Sequence, residues 1–220
     1  MTSAVRGRTT KSESFQRLKE SALALFSSRG YDGTSLRDIA NGADVPLSLI
    51  NRYFGRKEQL FHEIQSKIWR SLNRERDDAL AKARGTMHRN PDLDEIIRIF
   101  ARPVVALAFA SAEGRAAIRL IRERRAFIVH HDLDLRIEWN TARQLWMGLL
   151  VAACPELSRT HAVWAFSFVI DTVYSSHLLD DWLDDIMPKS PCLSVDEVTE
   201  LIVTFCTAGI RALALKCMNH

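Results

Sequence analysis

Two stretches of this 220-residue chain carry side chains whose types and spacing could do chemistry. The first is Ser35 to Lys57, SLRDIANGADVPLSLINRYFGRK, where Leu47, Ser48, Asn51 and Arg52 fall off the face defined by Ile50 and Phe54. An asparagine so exposed can bond adenine N6 and N7 together, so the chemistry is base reading. The second is Asp180-Asp181-Trp182-Leu183-Asp184-Asp185. It contains D-D-x-x-D, and aspartates at that spacing on a helix can hold Mg²⁺ against a diphosphate. One stretch suggests a DNA reader and the other a helical Mg²⁺-dependent enzyme. A helical interaction module that binds no DNA is the third class to weigh.

The elements around the first stretch decide how it presents its side chains. Leu36, Ile39 and Ala40 recur at helical spacing, and Ser35 with Asp38 three residues on makes an S-x-x-D capping pattern. Asn41, Gly42, Ala43 and Asp44 stop that helix, since Asn and Gly tolerate left-handed backbone. Pro46 suits the first turn of a second helix, where its fixed φ is helical and its missing N–H would have no partner anyway. Two short helices and a tight turn form a helix-turn-helix, whose second helix can enter a major groove. Before them, Phe15, Leu18, Ala22, Leu25 and Phe26 form the stripe of a helix over Ser14 to Arg29, with Gly30 ending it.

The pattern Ala22, Leu25-Phe26, Gly30-Tyr31, Thr34, Ile39-Ala40, Val45, Tyr53-Phe54, Lys57 and Leu60 resembles the TetR/AcrR-type family of transcriptional regulators, over roughly Phe15 to Leu60. The resemblance implies an all-α fold. It places a three-helix DNA-binding domain at 11–71, with the helix-turn-helix at about 34–53, and a larger helical domain for dimerisation and effector binding at 72–220. Three positions depart from the family pattern. Asp44 stands where Gly is usual, Pro46 where a capping Ser is usual, and Asn51 where a Tyr commonly reaches phosphate. With those departures noted, the expected roles are that Arg37 reaches backbone or a guanine edge, and that Leu47, Ser48 and Asn51 face bases. Arg52, Tyr53 and Lys57 meet phosphates, and Thr34 and Ser35 offer hydroxyls and N–H groups at a helix start.

Charge agrees with this division. The net charge is only +3, but residues 1–60 hold ten Lys/Arg against six Asp/Glu, and residues 61–220 hold twenty against twenty-one. The surplus positive charge lies where phosphates would need it. Met1 to about Ser12 is polar, with Arg6, Arg8 and Lys11. It reads as a solvated tail or as an arm touching phosphate or the minor groove. Cys154, Cys192, Cys206 and Cys217 make no C-x-x-C pair, which speaks against a zinc knuckle or redox motif. With a polar N-terminus and no continuous apolar run of about 20 residues, the expectation is a cytoplasmic protein with no membrane partner.

Past Lys57 every segment reads as helix. A long helix runs from Arg56 toward about Ala83 as the link between the halves, and Gly85 to Pro91 should break it. Further helices are expected over Leu93 to Ala110 (kinked or divided at Pro103), Glu113 to His130, Leu133 to Ala153, Ser158 to about Leu183, and a last one from a Ser194/Glu197 capping box to about Lys216. The last two are too apolar for solvated surface helices, which fits the four-helix dimer seam of the family and a palindrome-like operator on double-stranded DNA. Asp171, Thr172 and Tyr174 interrupt the apolar Trp164 to Val173 stretch. Together with Trp139, Trp146, Met147 and Trp164 they are candidates to line a pocket for a small apolar effector, although plain core is the simpler reading.

The enzymatic alternative is weaker. A synthase needs a second acidic cluster facing the first, and Asp196 and Glu200 also serve helix-start chemistry. His130-His131-Asp132 has metal-ligand types, but neighbours diverge around a helix. His161 and His177 stand alone, and no Ser-His-Asp order, phosphate loop or HExxH is present. No catalytic residue, metal or cofactor is expected. The preferred reading is a homodimeric DNA-binding regulator, a repressor released by a small molecule.

Overall fold

The computed structural model describes residues 11–87, 91–123, 133–175 and 193–218. Among these described residues there are nine α-helices and no strand, as the all-α expectation requires. They are α1 (Lys11–Arg29), α2 (Leu36–Gly42), α3 (Leu47–Tyr53), α4 (Lys57–Met87), α5 (Leu93–Ala110), α6 (Ala112–Glu123), α7 (Leu133–Ala153), α8 (Arg159–Ser175) and α9 (Val195–Met218). The chain divides into two compact units between Lys67 and Ile68, so α4 contributes to both.

The N-terminal unit is built on the α1 stripe. Leu18, Ala22 and Phe26 are fully buried, together with Ile39, Ile50, Leu60 and Phe61 from the next three helices. Aromatic rings tie these helices together. Phe26 and Phe61 meet edge-on at 5.0 Å, Tyr31 meets Phe61 at the same distance, and Phe15 stacks on Phe54 at 5.2 Å. Gly42 ends α2 where that helix crosses α1. A Cβ there would stand 2.5 Å from the Ser21 hydroxyl oxygen, which itself donates to the Ile39 carbonyl. A side chain there would push the Ser21 hydroxyl away from the Ile39 carbonyl.

The C-terminal unit is organised on α5. Ile96, Ile97, Phe100, Ala101, Val104, Val105 and Ala108 are buried, and α9 packs along this helix more extensively than any other element. The expected break between α4 and α5 is present, since Pro91 and Asp92 are not helical, but α4 runs past Gly85, and α5 is not divided at Pro103. The long helix α4 passes through Gly85 to Met87, because one exposed glycine costs a helix only about 1 kcal/mol. Helix α5 likewise passes through Pro103 as one element. The lost N–H of Pro103 is outweighed by the apolar surface that flanking turns bury.

Helix α9 begins at the capping box read from sequence. Glu197 accepts from the Ser194 N–H and hydroxyl, and the Glu197 N–H donates to Ser194 Oγ at 3.2 Å. Those donors, the backbone N–H first, hold the Glu197 carboxyl below its usual range. By length and composition alone Val195–Cys217 would pass for a membrane span, with a mean hydropathy of 1.6. That qualifies the expectation that nothing here reaches span length. Its polar positions are used otherwise: Asp196 pairs with Arg102, Glu200 with Arg98 in a two-bonded fork, and Arg211 with Asp94, all on α5. The fork lowers the Glu200 carboxyl and raises the Arg98 guanidinium.

The Asp180–Asp185 cluster, His130-His131-Asp132, His177, Cys192 and the arm up to residue 10 lie outside the described residues. Cys154 and Cys206 are buried free thiols, and Cys217 is half-buried with its sulfur 3.2 Å from His161 Nδ1.

Candidate nucleic-acid interface and ligand cleft

The second helix of the turn is held by few residues. Ser35 caps α2 as expected: its N–H and hydroxyl reach Asp38 Oδ2, and the Asp38 N–H returns to Ser35 Oγ at 3.1 Å. Those bonds, the Ser35 hydroxyl first, lower the Asp38 carboxyl. The helix closes at Ala43, and Asp44 then takes φ +51°, so the left-handed turn position is filled without glycine. Asp is among the residues that best tolerate that region. Pro46 is the N-cap of α3 with φ −63° and no side-chain cap bond. Ile50, fully buried, and Phe54 anchor α3 from beneath.

That anchoring leaves a polar row outward. Ser48, Asn51 and Arg52 on α3 and Arg37 on α2 are all exposed. No hydrogen bond or ion pair links their side chains to another described residue. Leu47 and Tyr53 are half-buried, and the Tyr53 ring lies edge-on to Phe15 at 5.5 Å. The row therefore mixes free donors, one cation on each helix, and a narrow apolar margin.

Three expected phosphate contacts are placed differently. Thr34 is 2% exposed, and its hydroxyl donates to the carbonyls of Gly30 at 2.8 Å and Leu25 at 3.1 Å. It offers nothing outward, because a buried hydroxyl must find its acceptor inside. The Ser35 hydroxyl and N–H are consumed by the Asp38 capping box. The Lys57 ammonium donates to the carbonyls of Tyr31 at 2.8 Å and Thr34 at 3.0 Å, and sits 4.2 Å from the Tyr31 ring centroid. It clasps the α1–α2 connection to the start of α4, where a phosphate would compete with two carbonyls for it.

The C-terminal unit contains a cleft of about 420 Å³, counting the space at its open mouth. Of the six residues expected to line an effector pocket, Trp139, Trp146 and Tyr174 do so. The other three do not. Met147 packs into the core, while Trp164 is 60% exposed and Asp171 is exposed. Trp164 lies one helical turn from exposed Phe168, so its face of α8 turns away from the cleft. Sequence reasoning missed Arg76, Asn73 and Trp69 on α4, and Phe100 on α5. A signal was available: apolar residues recur every fourth position at Ile64, Ile68, Leu72 and Leu80, and the gap in that ladder is Arg76.

A small helical unit with a capped, tightly turned helix pair and an outward polar row defines a helix-turn-helix DNA-binding protein, here joined to a helical unit holding a cleft. The model for bacterial regulatory proteins of the tetR family matches residues 18–64, and that for the tetracyclin repressor-like C-terminal domain matches 98–209, half of the chain. The chain belongs to the TetR family of bacterial regulatory proteins. That makes it a DNA-binding transcriptional regulator and sets the enzymatic alternative aside. Over 206 residues it is 27% identical to the HTH-type transcriptional regulator BetI of Rhizobium meliloti (strain 1021), covering 89% of this chain and 88% of that one. Over 55 residues it is 38% identical to the probable HTH-type transcriptional regulator YttP of Bacillus subtilis (strain 168), a match to 25% of this chain and only 27% of that one. Among solved structures, the fold resembles the ketosteroid transcriptional regulator KstR2 of Mycobacterium tuberculosis. The TM-score is 0.65 at 20% identity, over 91% of this chain and 95% of that one. It also resembles AibR in complex with isovaleryl coenzyme A and operator DNA, with a TM-score of 0.57 at 15% identity over 87% and 97%.

Proposed function

We propose that this regulator is a cytoplasmic homodimeric repressor that binds a palindrome-like operator and leaves it when a small molecule occupies the cleft. Residues 11–71 read DNA, and residues 72–220 dimerise and bind the effector. The observation that carries the reading is the outward row of Arg37, Ser48, Asn51 and Arg52, which no other described residue engages. Asn51 and Ser48 face bases with Leu47 beside them, Arg37 and Arg52 meet backbone or a guanine edge, and Tyr53 borders a phosphate. Thr34, Ser35 and Lys57 instead fix the α1–α2 connection, the start of α2 and the start of α4. Exposed Trp164 and Phe168 on α8, with Leu201 and Phe205 on α9, supply an apolar face for a second copy. The AibR structure, with its acyl-coenzyme A and operator DNA, supports the pairing of a reading head with a ligand-responsive helical domain.

The test starts with duplexes selected from a random pool and measures affinity for the selected duplex by fluorescence anisotropy at rising salt. The expected result is a preferred two-half-site duplex, with half-sites about 10 base pairs apart or a multiple. Its affinity should fall steeply with salt as counterions are released. A pool that yields no preferred duplex would sink the operator reading.

A further inference from the structure

We propose that the cleft of the C-terminal unit is a site for a compact aromatic monocarboxylate, with Arg76 as its charge partner and Trp139 as a second donor. This deepens the effector reading and rests on it for its regulatory meaning, though not for its binding chemistry.

The carrying observation is a buried cation with no anion among the described residues. Arg76 is 2% exposed. Its Nε donates to the Phe100 carbonyl at 3.0 Å and its Nη1 to Asn73 Oδ1 at 3.1 Å, both neutral acceptors. Its Nη2 is buried and bonded to nothing, and no carboxylate of a described residue lies within 4.0 Å. Arginine cannot relieve burial by shedding its proton as lysine or histidine can. A buried charge is normally paired, and breaking such a pair is costly because the survivor stays uncompensated. The guanidinium plane rests 3.9 Å from the Phe100 ring centroid, which orients it without neutralising it.

A second donor on the same cleft is equally idle. Trp139 is 9% exposed and its indole Nε1 is buried without an acceptor. Two residues lining one cleft thus each keep an idle donor, and a carboxylate has two oxygens to accept from them. Arg143 also lines the cleft, its guanidinium 5.7 Å from the Trp139 ring centroid. The rest of the lining is flat and apolar. Trp69 stacks on Trp139 at 5.6 Å, and Phe100 meets Trp146 and Phe166 edge-on at 5.0 and 5.3 Å. Aromatic walls favour an aromatic body. The enclosed part of the cleft is small, which favours a compact molecule. The apolar effector expected from sequence thus acquires a negative charge, and cations are excluded.

Calorimetry on the full chain tests this with phenylacetate, phenylacetamide and phenyltrimethylammonium. Phenylacetate should bind about 10- to 100-fold more tightly than the amide, the range of a charge-assisted bond, and the cation should bind worst. Arg76→Met should erase the preference for the acid while keeping or raising the melting temperature, since it removes an unpaired buried charge. A purely structural arginine would instead lose stability and leave selectivity alone. Trp139→Phe keeps the ring and drops the N–H, so it should weaken phenylacetate several-fold with the fold intact by circular dichroism. Equal affinities for acid and amide, no binding by any of the three, or a preference that survives Arg76→Met overturns the site. If Arg76→Met does not fold, an unchanged phenylacetate affinity in Trp139→Phe does so alone. Phenylacetate that binds with this preference but leaves affinity for the selected duplex unaltered would keep the site and remove the effector reading.

Discussion

In the N-terminal unit Phe15, Phe26, Tyr31, Tyr53, Phe54 and Phe61 pack on one another, and the row left outward on α2 and α3 is polar. In the C-terminal unit Trp164, Phe168, Leu201, Phe205 and Leu215 are each more than half exposed, Phe205 at 72%. The first unit encloses its apolar surface within one chain. The second has a well-filled core around α5 and still leaves large apolar side chains outside, at i, i+4 spacing on two helices. A finished surface that presents donors suits a ligand that arrives wet and charged, as duplex DNA does. An unfinished apolar face suits a second copy that arrives dry.

The sharpest way to break that comparison is to charge the unfinished face. Phe205→Asp should yield monomers by sedimentation. Losing the second reading head should then cost operator affinity on the order of 10²- to 10⁴-fold, the scale of two linked binding events, with the helix-turn-helix unchanged. A Phe205→Asp protein that stays dimeric would move the seam off α9.

On the finished face, a smaller and more local effect is expected. Asn51 is exposed and its side chain has no partner among the described residues, so Asn51→Ala should leave stability within about 0.5 kcal/mol. It should reduce discrimination at one base pair of each half-site by about 1–3 kcal/mol if Asn51 pairs with adenine. Affinities measured across a set of single-base operator variants decide the point. A uniform loss across all variants would make Asn51 a backbone contact.

Local chemistry was legible in the sequence, and features set by distant packing were not. The capping boxes at Ser35/Asp38 and Ser194/Glu197 stand where they were read, because each is complete within four residues. The break after α4 was placed a little early at Gly85, and α5 is not divided at Pro103, because breaker rules carry costs of about 1 and 3 kcal/mol that a helix can absorb. Thr34 was expected outward, yet its hydroxyl turns to carbonyls of α1 and the turn after it. Nothing in the spacing of Thr34 says which way it faces, since that depends on where the end of α1 lies. Trp164 and Asp171 share an apolar helix with Tyr174, but periodicity alone does not say which face of α8 meets the cleft.

The smallest effect tests the turn between α2 and α3, where the family pattern and this chain disagree. Asp44 holds φ +51°, a region in which L side chains crowd their own backbone by about 1–2 kcal/mol, less for Asp than for most. What Asp44 offers in return is an ion pair with Arg17 at 3.9 Å, its own side chain 85% exposed. Pairs so exposed are worth about 0–1 kcal/mol and weaken with salt. Relief of the backbone should therefore win. Asp44→Gly is expected to gain about 0.5–1 kcal/mol, part of the relief being offset by the looser unfolded chain. Asp44→Ala, which keeps the crowding and loses the pair, should cost about 1 kcal/mol. Urea midpoints at equal slope give both numbers, and repeating them in high salt separates the terms. If Asp44→Gly is less stable at low salt and recovers at high salt, the Arg17 pair outweighs the strain. The aspartate would then be an electrostatic latch on the turn, in place of the glycine usual in the family pattern.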